Sequence, residues 1–246
     1  MKKISLIIFV LVSLKLSAQN QRFKKLSLNE GLSQSTVNCV IQDRLGFIWI
    51  GTQDGLNKYD GHKFKHYKNS VTDTNSIPDN FVQSLFEDSK GNIWIGTYGN
   101  GLAILNPKTN HIKRFNSKNS NLEDDIIMSI IEYENLIYIG TKRAGLYSYS
   151  DESKSIEKLR FNKIENNIQI IDMELFNNAL YICSSLKGIH KLENNKWNTI
   201  LDSIRFQSLH STKESIWYGS HSGKLFQSSL NNSIIVMPIM RSFKKY

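Results

Sequence analysis

The sequence predicts an all-β fold made of repeated four-stranded units, and three observations lead there. The first is a repeat: Asp43-Arg-Leu-Gly-Phe-Ile-Trp-Ile-Gly-Thr-Gln-Asp-Gly-Leu56 returns as Asp88-Ser-Lys-Gly-Asn-Ile-Trp-Ile-Gly-Thr-Tyr-Gly-Asn-Gly-Leu102. The second is a period: weaker copies at Tyr138-Ile-Gly-Thr141, Tyr181-Ile-Cys-Ser184 and Trp217-Tyr-Gly-Ser220 bring the total to five, with aromatics 36 to 45 residues apart. The third is turn chemistry. Gly46 and Gly91 give way to Asn135 and Asn178 at the same position, and Asn best tolerates left-handed backbone after Gly. The fifth copy has Glu214 there, which predicts an altered hairpin. A period of this size, with short apolar runs and Gly turns inside it, is the signature of propeller blades or a similar array.

Within the first complete unit, four strands are expected. Val37 to Gln42 comes first, and Asp43-Arg44-Leu45-Gly46 suits a tight turn, with Asp at its start and Gly where positive φ is wanted. Phe47 to Thr52 follows, Gln53-Asp54-Gly55 turns the chain into Leu56 to Asp60, and Gly61-His62-Lys63 leads to Phe64 to Lys68.

Ahead of the repeats, Met1-Lys-Lys, the apolar run Ile4 to Leu14 and Leu16-Ser-Ala-Gln19 read as a secretory signal peptide cut after Ala18. The run falls short of the ~18 apolar residues that span a bilayer. No Cys follows it, which argues against a lipoprotein. Residues 1–18 are therefore expected as leader and 19–246 as one propeller domain in an exported, periplasmic protein. The formal charge is +9, and Lys2, Lys3 and Lys15 lie in the leader, leaving about +6. An exported basic protein does not meet chromosomal DNA, so nucleic acid is not expected as a partner. A mild preference for anionic ligands is the physical consequence.

Cys39 and Cys183 fall in different units, so they read as unpaired thiols behaving as small hydrophobes. The six His are dispersed, with none at ligand spacing from Cys, Asp or Glu, so neither a metal nor another cofactor is expected.

The run Glu30-Gly-Leu-Ser-Gln-Ser-Thr-Val37, with Gln42-Asp43, Gly46-Phe-Ile-Trp-Ile-Gly-Thr52, Asp54-Gly-Leu56 and Tyr59-Asp-Gly61, resembles the two-component regulator propeller repeat. Ser76-Ile-Pro78, Val82, Glu87-Asp88 and Gly91-Asn-Ile-Trp-Ile-Gly-Thr97 repeat the pattern. The resemblance is specific over roughly residues 30 to 147. It implies a periplasmic sensor propeller, usually seven-bladed, placed ahead of a membrane helix and a histidine kinase, with oligosaccharides among the ligands. This chain shows five units and no kinase or receiver segment. Arg22-Phe-Lys-Lys-Leu-Ser27 resembles an outer fourth strand that could close a ring, yet the fifth unit has its own candidate in Ile234 to Ile239. The sequence therefore reads as an incomplete part of a larger propeller, whose open ends would expose strand edges and apolar faces. The alternative is closure at five, with Pro238 spoiling the last strand.

Trp49, Trp94, Tyr138, Tyr181 and Trp217 recur at one strand position and are expected to pack between blades. Gly51, Gly96, Gly140 and Gly219 follow them as structural motif positions. Thr52, Thr97, Thr141, Ser184 and Ser220 form a second ring, expected to satisfy strand-end backbone groups rather than act as nucleophiles. No Ser or Thr has the His and acid spacing of a hydrolase motif.

Function is expected on the loops. The turns between second and third strands should share one face with the long links between units, such as 69–80 and 117–125. Gln53, Asp54, Tyr98, Asn100, Lys142, Arg143, Lys187 and His221 are the ligand-binding candidates there. Tyr98 offers a plane for a sugar, while Lys142, Arg143 and Lys187 offer donors to carboxylate or sulfate. The leading reading is a non-catalytic sensor propeller that recognises an oligosaccharide or other small ligand and signals to a histidine kinase module or membrane partner, with homodimerisation left open. The alternatives are a propeller lyase or glycan hydrolase, for which Asp124-Asp125 is the only obvious acidic pair, and a stand-alone protein-interaction propeller.

Overall fold

A computed structural model describes residues 23–159, 168–194, 196–229 and 234–238. The proposed leader and Ile239 lie outside them. Five antiparallel sheets follow one another along the chain, each a meander of four strands in sequential order. Blade 1 holds β1 (Val37–Gln42), β2 (Ile48–Thr52), β3 (Gly55–Tyr59) and β4 (Phe64–Tyr67), within a residue or two of the expected bounds. Blade 2 holds β5 (Val82–Glu87), β6 (Ile93–Thr97), β7 (Leu102–Asn106) and β8 (His111–Phe115). Blade 3 runs β9 (Ile127–Tyr133), β10 (Leu136–Thr141), β11 (Leu146–Ser150) and β12 (Ser155–Lys158). Blade 4 runs β13 (Ile170–Phe176), β14 (Ala179–Ser184), β15 (Gly188–Glu193) and β16 (Lys196–Leu201). Blade 5 comprises β17 (Phe206–Ser211), β18 (Ser215–Ser220), β19 (Lys224–Ser229) and β20 (Ile234–Pro238).

The first hairpin of each blade is closed in one of three ways. In blades 1 and 2 a buried carboxylate organises the turn: Asp43 Oδ1 accepts from the backbone N–H of Leu45 and Phe47, and Asp43 Oδ2 from Trp49 Nε1 at 2.8 Å. Asp88 repeats this with Lys90, Asn92 and Trp94 Nε1. Gly46 and Gly91 supply the positive φ, 90° and 83°. In blades 3 and 4 the Asp becomes Tyr133 and Phe176, whose rings meet Tyr138 and Tyr181 with centroids 6.2 Å apart in each case. Their turns shrink to Glu134-Asn135 and Asn177-Asn178, each with both residues at positive φ, the type I′ hairpin geometry. Blade 5 makes its turn without positive φ at Glu214; the Thr212 hydroxyl accepts from the N–H of Glu214 and Ser215 instead. The Asp and Trp are thus exchanged together for two packed aromatics, because a Trp indole N–H needs a buried acceptor and a Tyr ring edge does not.

First strands pack on first strands, β1 on β5, β5 on β9, β9 on β13 and β13 on β17. Among the described residues no comparable packing joins β17 back to β1. Each of the four seams has its own apolar cluster. Trp49 and Leu56 meet Val82, Ile93 and Ile95, and Trp94 meets Ile127 and Tyr149. Tyr138 meets Ile170 and Met173, and Tyr181 meets Phe206 and Tyr218. Four of the five motif aromatics thus pack between blades, as expected. Trp217 does not: it is only half-buried, because no blade follows β20 among the described residues.

Backbone proximity explains the motif glycines. A Cβ on Gly51 would lie 2.5 Å from Cys39 Sγ and 2.6 Å from Val82 of the next blade; on Gly140 it would lie 2.6 Å from Ile170 and 2.7 Å from Ser129 Oγ. Cys183, in place of the fourth Gly, faces Asp172 across the ladder where the other blades have Cys39, Ser84, Ser129 and Ser208. The hydroxyl ring satisfies strand ends as expected. Thr52, Thr97, Thr141, Ser184 and Ser220 donate to the carbonyls of Gly55, Gly101, Gly145, Gly188 and Lys224.

The segment expected to resemble a fourth strand, Phe23 to Leu28, is not one. Phe23 is exposed, and the chain enters a short 3-10 helix at Leu28–Glu30, where Ser27 N–H donates to Glu30 Oε2 at 2.8 Å. It lies against blade 1, with Lys24 Nζ donating to Tyr59 OH at 2.5 Å and His66 Nε2 to the Gly31 carbonyl at 2.8 Å. The physical reason is that β20 already pairs with β19, from Lys224↔Pro238 to Ser228↔Ile234, and Pro238 ends the strand rather than spoiling it.

Candidate functional site

One face of the array is stitched together by a recurring backbone bond. The first residue of each second-to-third-strand turn donates its N–H to the residue just ahead of the same blade's first strand. Gln53 reaches Thr36, Tyr98 reaches Phe81, Lys142 reaches Ile126, Ser185 reaches Gln169 and His221 reaches Arg205, at 2.9 to 3.3 Å. Gly55 and Gly101 donate onward to the Asn80 and Asp125 carbonyls of the following links. Turns and links thus share one face, as expected. The links themselves are held: Asn69 Nδ2 donates to the Ile77 and Pro78 carbonyls, and Arg114 reaches back to Asp73 O at 2.7 Å.

The predicted residues fall into three groups on this face. In blade 1, Gln53 is exposed and Asp54 pairs with Lys68 at 2.6 Å. Between blades 2 and 3, Tyr98 stacks on Phe81 with centroids 4.9 Å apart, and Lys142 Nζ lies 4.6 Å from the Tyr98 ring and donates to its hydroxyl. Asn100 Nδ2 donates to Asp79 Oδ2 at 2.7 Å. Arg143 is gripped by the buried Asp124, which accepts from its N–H at 2.7 Å and from its guanidinium at 2.8 and 3.2 Å, and this hydrogen-bonded carboxylate raises the Arg143 pKa. A ligand here meets groups that already have partners.

The third group lies between blades 4 and 5. Lys187 N–H is held by the Ser184 hydroxyl at 3.2 Å, while its ammonium engages no other described residue. His221 Nδ1 lies 2.7 Å from Gln207 Nε2 at the edge of a cleft of about 400 Å³, whose lining includes Gln169, Leu186, Arg205 and Gln207. None of these four stands out in the sequence. The only available signal was position: Arg205 holds the pre-strand place that Thr36, Phe81, Ile126 and Gln169 hold in the other blades.

The acidic pair weighed for catalysis is divided between two structural tasks. Asp124 holds Arg143, and Asp125 accepts from Ser117 N–H at 2.7 Å and Ser117 Oγ at 2.8 Å. Cys39 and Cys183 are free thiols in different blades, and burial pushes the Cys39 pKa up to about 12. A half-buried acid absent from the sequence reading is Asp172, whose pKa desolvation raises to about 6 against the hydrogen bonds from Leu209 and Met173 N–H.

The family model described as two component regulator propeller matches residues 31–54 and 76–99. A 75-residue stretch is 48% identical to Histidine kinase P4 of Formosa agariphila, covering 30% of this chain and 6% of that protein. The chain therefore spans a small part of the curated relative it matches. Among solved structures, the extracellular domain of a protein described as a hybrid two component system of B. thetaiotaomicron superposes with a TM-score of 0.69 at 19% identity, covering 90% of this chain and 36% of that one. PorZ of Porphyromonas gingivalis, described as a surface component of the type-IX secretion system, superposes at 0.58 with 16% identity over 81% of this chain and 33% of that one. At these identities the superpositions speak for fold alone. The chain is thus a five-blade array of the β-propeller fold, with the two component regulator propeller model matched at residues 31–54 and 76–99 of its first two units.

Proposed function

We propose that this chain is a non-catalytic, exported ligand-sensing propeller of a two-component system, with its recognition surface on the face that carries the second-to-third-strand turns. The observation that carries the reading is the 48% identity of a 75-residue stretch to a protein named a histidine kinase, joined to a turn face whose loops are held by hydrogen bonds and carry several cations. In this reading residues 1–18 direct export, and the ligand is an oligosaccharide bearing carboxylate or sulfate groups. Binding across a seam would favour one packing of neighbouring blades over another, and a kinase module elsewhere would read that difference. Support for a sensor over an enzyme comes from the two acids of the 124–125 link, each already committed to a neighbouring loop.

The test is calorimetric titration of the purified chain with neutral and uronate-containing oligosaccharides, followed by chromatography of the sugars after prolonged incubation. Binding with the sugars recovered intact is the expected outcome. Cleaved or unsaturated products would replace the sensor with the enzyme reading, and no binding by any sugar would remove the oligosaccharide. A protein-interaction role is the second reading, favoured by the exposed apolar run Ile234 to Met237 on β20. Light scattering of the chain, alone and with a candidate kinase module, separates that role and homodimerisation from sugar binding.

A further inference from the structure

The turn face carries cations in several blades, but they are not equally available. Lys68 is paired with Asp54, Arg143 with Asp124, and Lys142 with the Tyr98 ring and hydroxyl. Lys158, near the same link, is paired with Glu123. At the seam between blades 4 and 5 the situation reverses. Arg205 is exposed and its guanidinium engages no other described residue; the ammonium of the half-buried Lys187 likewise engages none. An unpaired Arg fork beside a cleft presents parallel N–H donors suited to a carboxylate or sulfate.

The cleft has the other elements of a saccharide site. Gln169 and Gln207 supply amides that both donate and accept, and His221 a ring nitrogen. Leu186, 57% exposed, lies on the cleft wall next to Lys187 and supplies an apolar surface for a sugar's C–H groups. On each wall a backbone bond within the blade, Ser185 to Gln169 in blade 4 and His221 to Arg205 in blade 5, fixes the backbone from which these side chains project. The volume of about 400 Å³ falls within the range of small-ligand sites and suits a disaccharide-sized group.

We propose that the cleft between blades 4 and 5 is the anion-recognising subsite of this propeller, with Arg205 the principal donor to a carboxylate or sulfate of an acidic saccharide. The inference rests on the sensor reading above and relocates its site: the free charge lies at Arg205 and Lys187, and the pair at Lys142 and Arg143 serves mainly to hold its own loops.

The experiment titrates the whole chain with digalacturonate, with the neutral disaccharide digalactose and with inorganic sulfate. Digalacturonate should bind, digalactose should bind more weakly, and Arg205→Ala should weaken digalacturonate by about tenfold, the equivalent of one charge-assisted hydrogen bond. Lys142→Ala should change it by less than about twofold, because that ammonium is already engaged. Arg205→Lys should fall between, keeping charge but losing the fork. Arg205 is exposed and unpartnered, so the variant is expected to fold, and matching thermal melts would establish that. Digalacturonate affinity unchanged in Arg205→Ala would overturn the cleft while leaving the sensor reading standing. Sulfate binding as tightly as digalacturonate would overturn the saccharide class. Absence of binding by either sugar to the unaltered chain would bring down the cleft and, with it, the oligosaccharide of the sensor reading.

Discussion

The four seams inside the array and its two ends are built from the same parts, yet they differ sharply in burial. At the position paired with the motif hydroxyl, Val82, Ile127 and Ile170 are 0% exposed and Phe206 is 1% exposed, whereas the equivalent Val37 of blade 1 is 42% exposed. On the opposite side of the seam, Trp49, Trp94, Tyr138 and Tyr181 are buried, and Trp217 is not. Every seam is therefore a heterologous joint, an aromatic and a glycine (Cys183 in the fourth seam) from one blade receiving a β-branched or aromatic residue from the next. The ends are the two unmatched halves of that joint. In stacked-repeat architectures stability is approximately the sum of each unit and its interfaces with neighbours, so a half-joint has residues of the right kind and lacks their energy.

The largest expected contrast is between Trp94 and Trp217. Trp94→Ala removes a buried indole and the donor to Asp88, and should cost about 3 to 5 kcal/mol, whereas Trp217→Ala should cost about 1 kcal/mol or less. Urea denaturation followed by circular dichroism measures both, and equal costs would abolish the distinction between seam and end. A smaller contrast concerns the glycines. Gly140→Ala must displace Ile170 of the next blade as well as Ser129 Oγ and should cost about 1 to 3 kcal/mol. Gly219→Ala meets Ser208 Oγ at 2.7 Å and, among the described residues, nothing from a following blade, so its cost should be lower; melting temperatures of the two variants decide.

The smallest effect sharpens the comparison among the seams themselves. Only the fourth seam has a carboxylate at the position facing the motif residue: Asp172 Oδ2 accepts from Leu209 N–H of blade 5 at 2.8 Å, with Glu174, Cys183 and His210 nearby. Its folded pKa is raised, to about 6 from an ordinary 3.8, so between those values the folded chain holds more proton than the unfolded chain. Stability from this group is present at low pH and is lost as pH rises from about 4 through about 6. Asp172→Asn should remove that loss, gaining roughly 1 to 2 kcal/mol relative to the unaltered chain on going from pH 4.5 to 7. A parallel pH dependence in both proteins would show that the seam does not feel the charge.

The same contrast explains what could be read in the chain without its structure. Strands and turns were legible to within a residue or two in blade 1, because alternation, Asp-to-Gly turns and Asn at left-handed positions act between residues close in sequence. The packing role of four motif aromatics was legible for a similar reason, since identical positions in successive copies must face the same way. The fate of Phe23 to Leu28 was legible only as a competition. Its composition matches Phe64 to Tyr67, but strand formation depends on a free partner edge, for which Ile234 to Ile239 was the rival candidate, and β20 takes that edge.

The sequence alone determined the repeat, the four-stranded unit, the three turn chemistries and the ring of hydroxyls, all of them consequences of local backbone geometry copied five times. Only the tertiary structure decided which charges on the turn face are free. Arg143 is silenced by an Asp 19 residues upstream, Lys142 by a Tyr 44 residues away in the neighbouring blade, and Arg205 by nothing described. The physical reason is that side-chain pairing across a seam depends on the register and separation of two packed sheets, which local sequence does not specify.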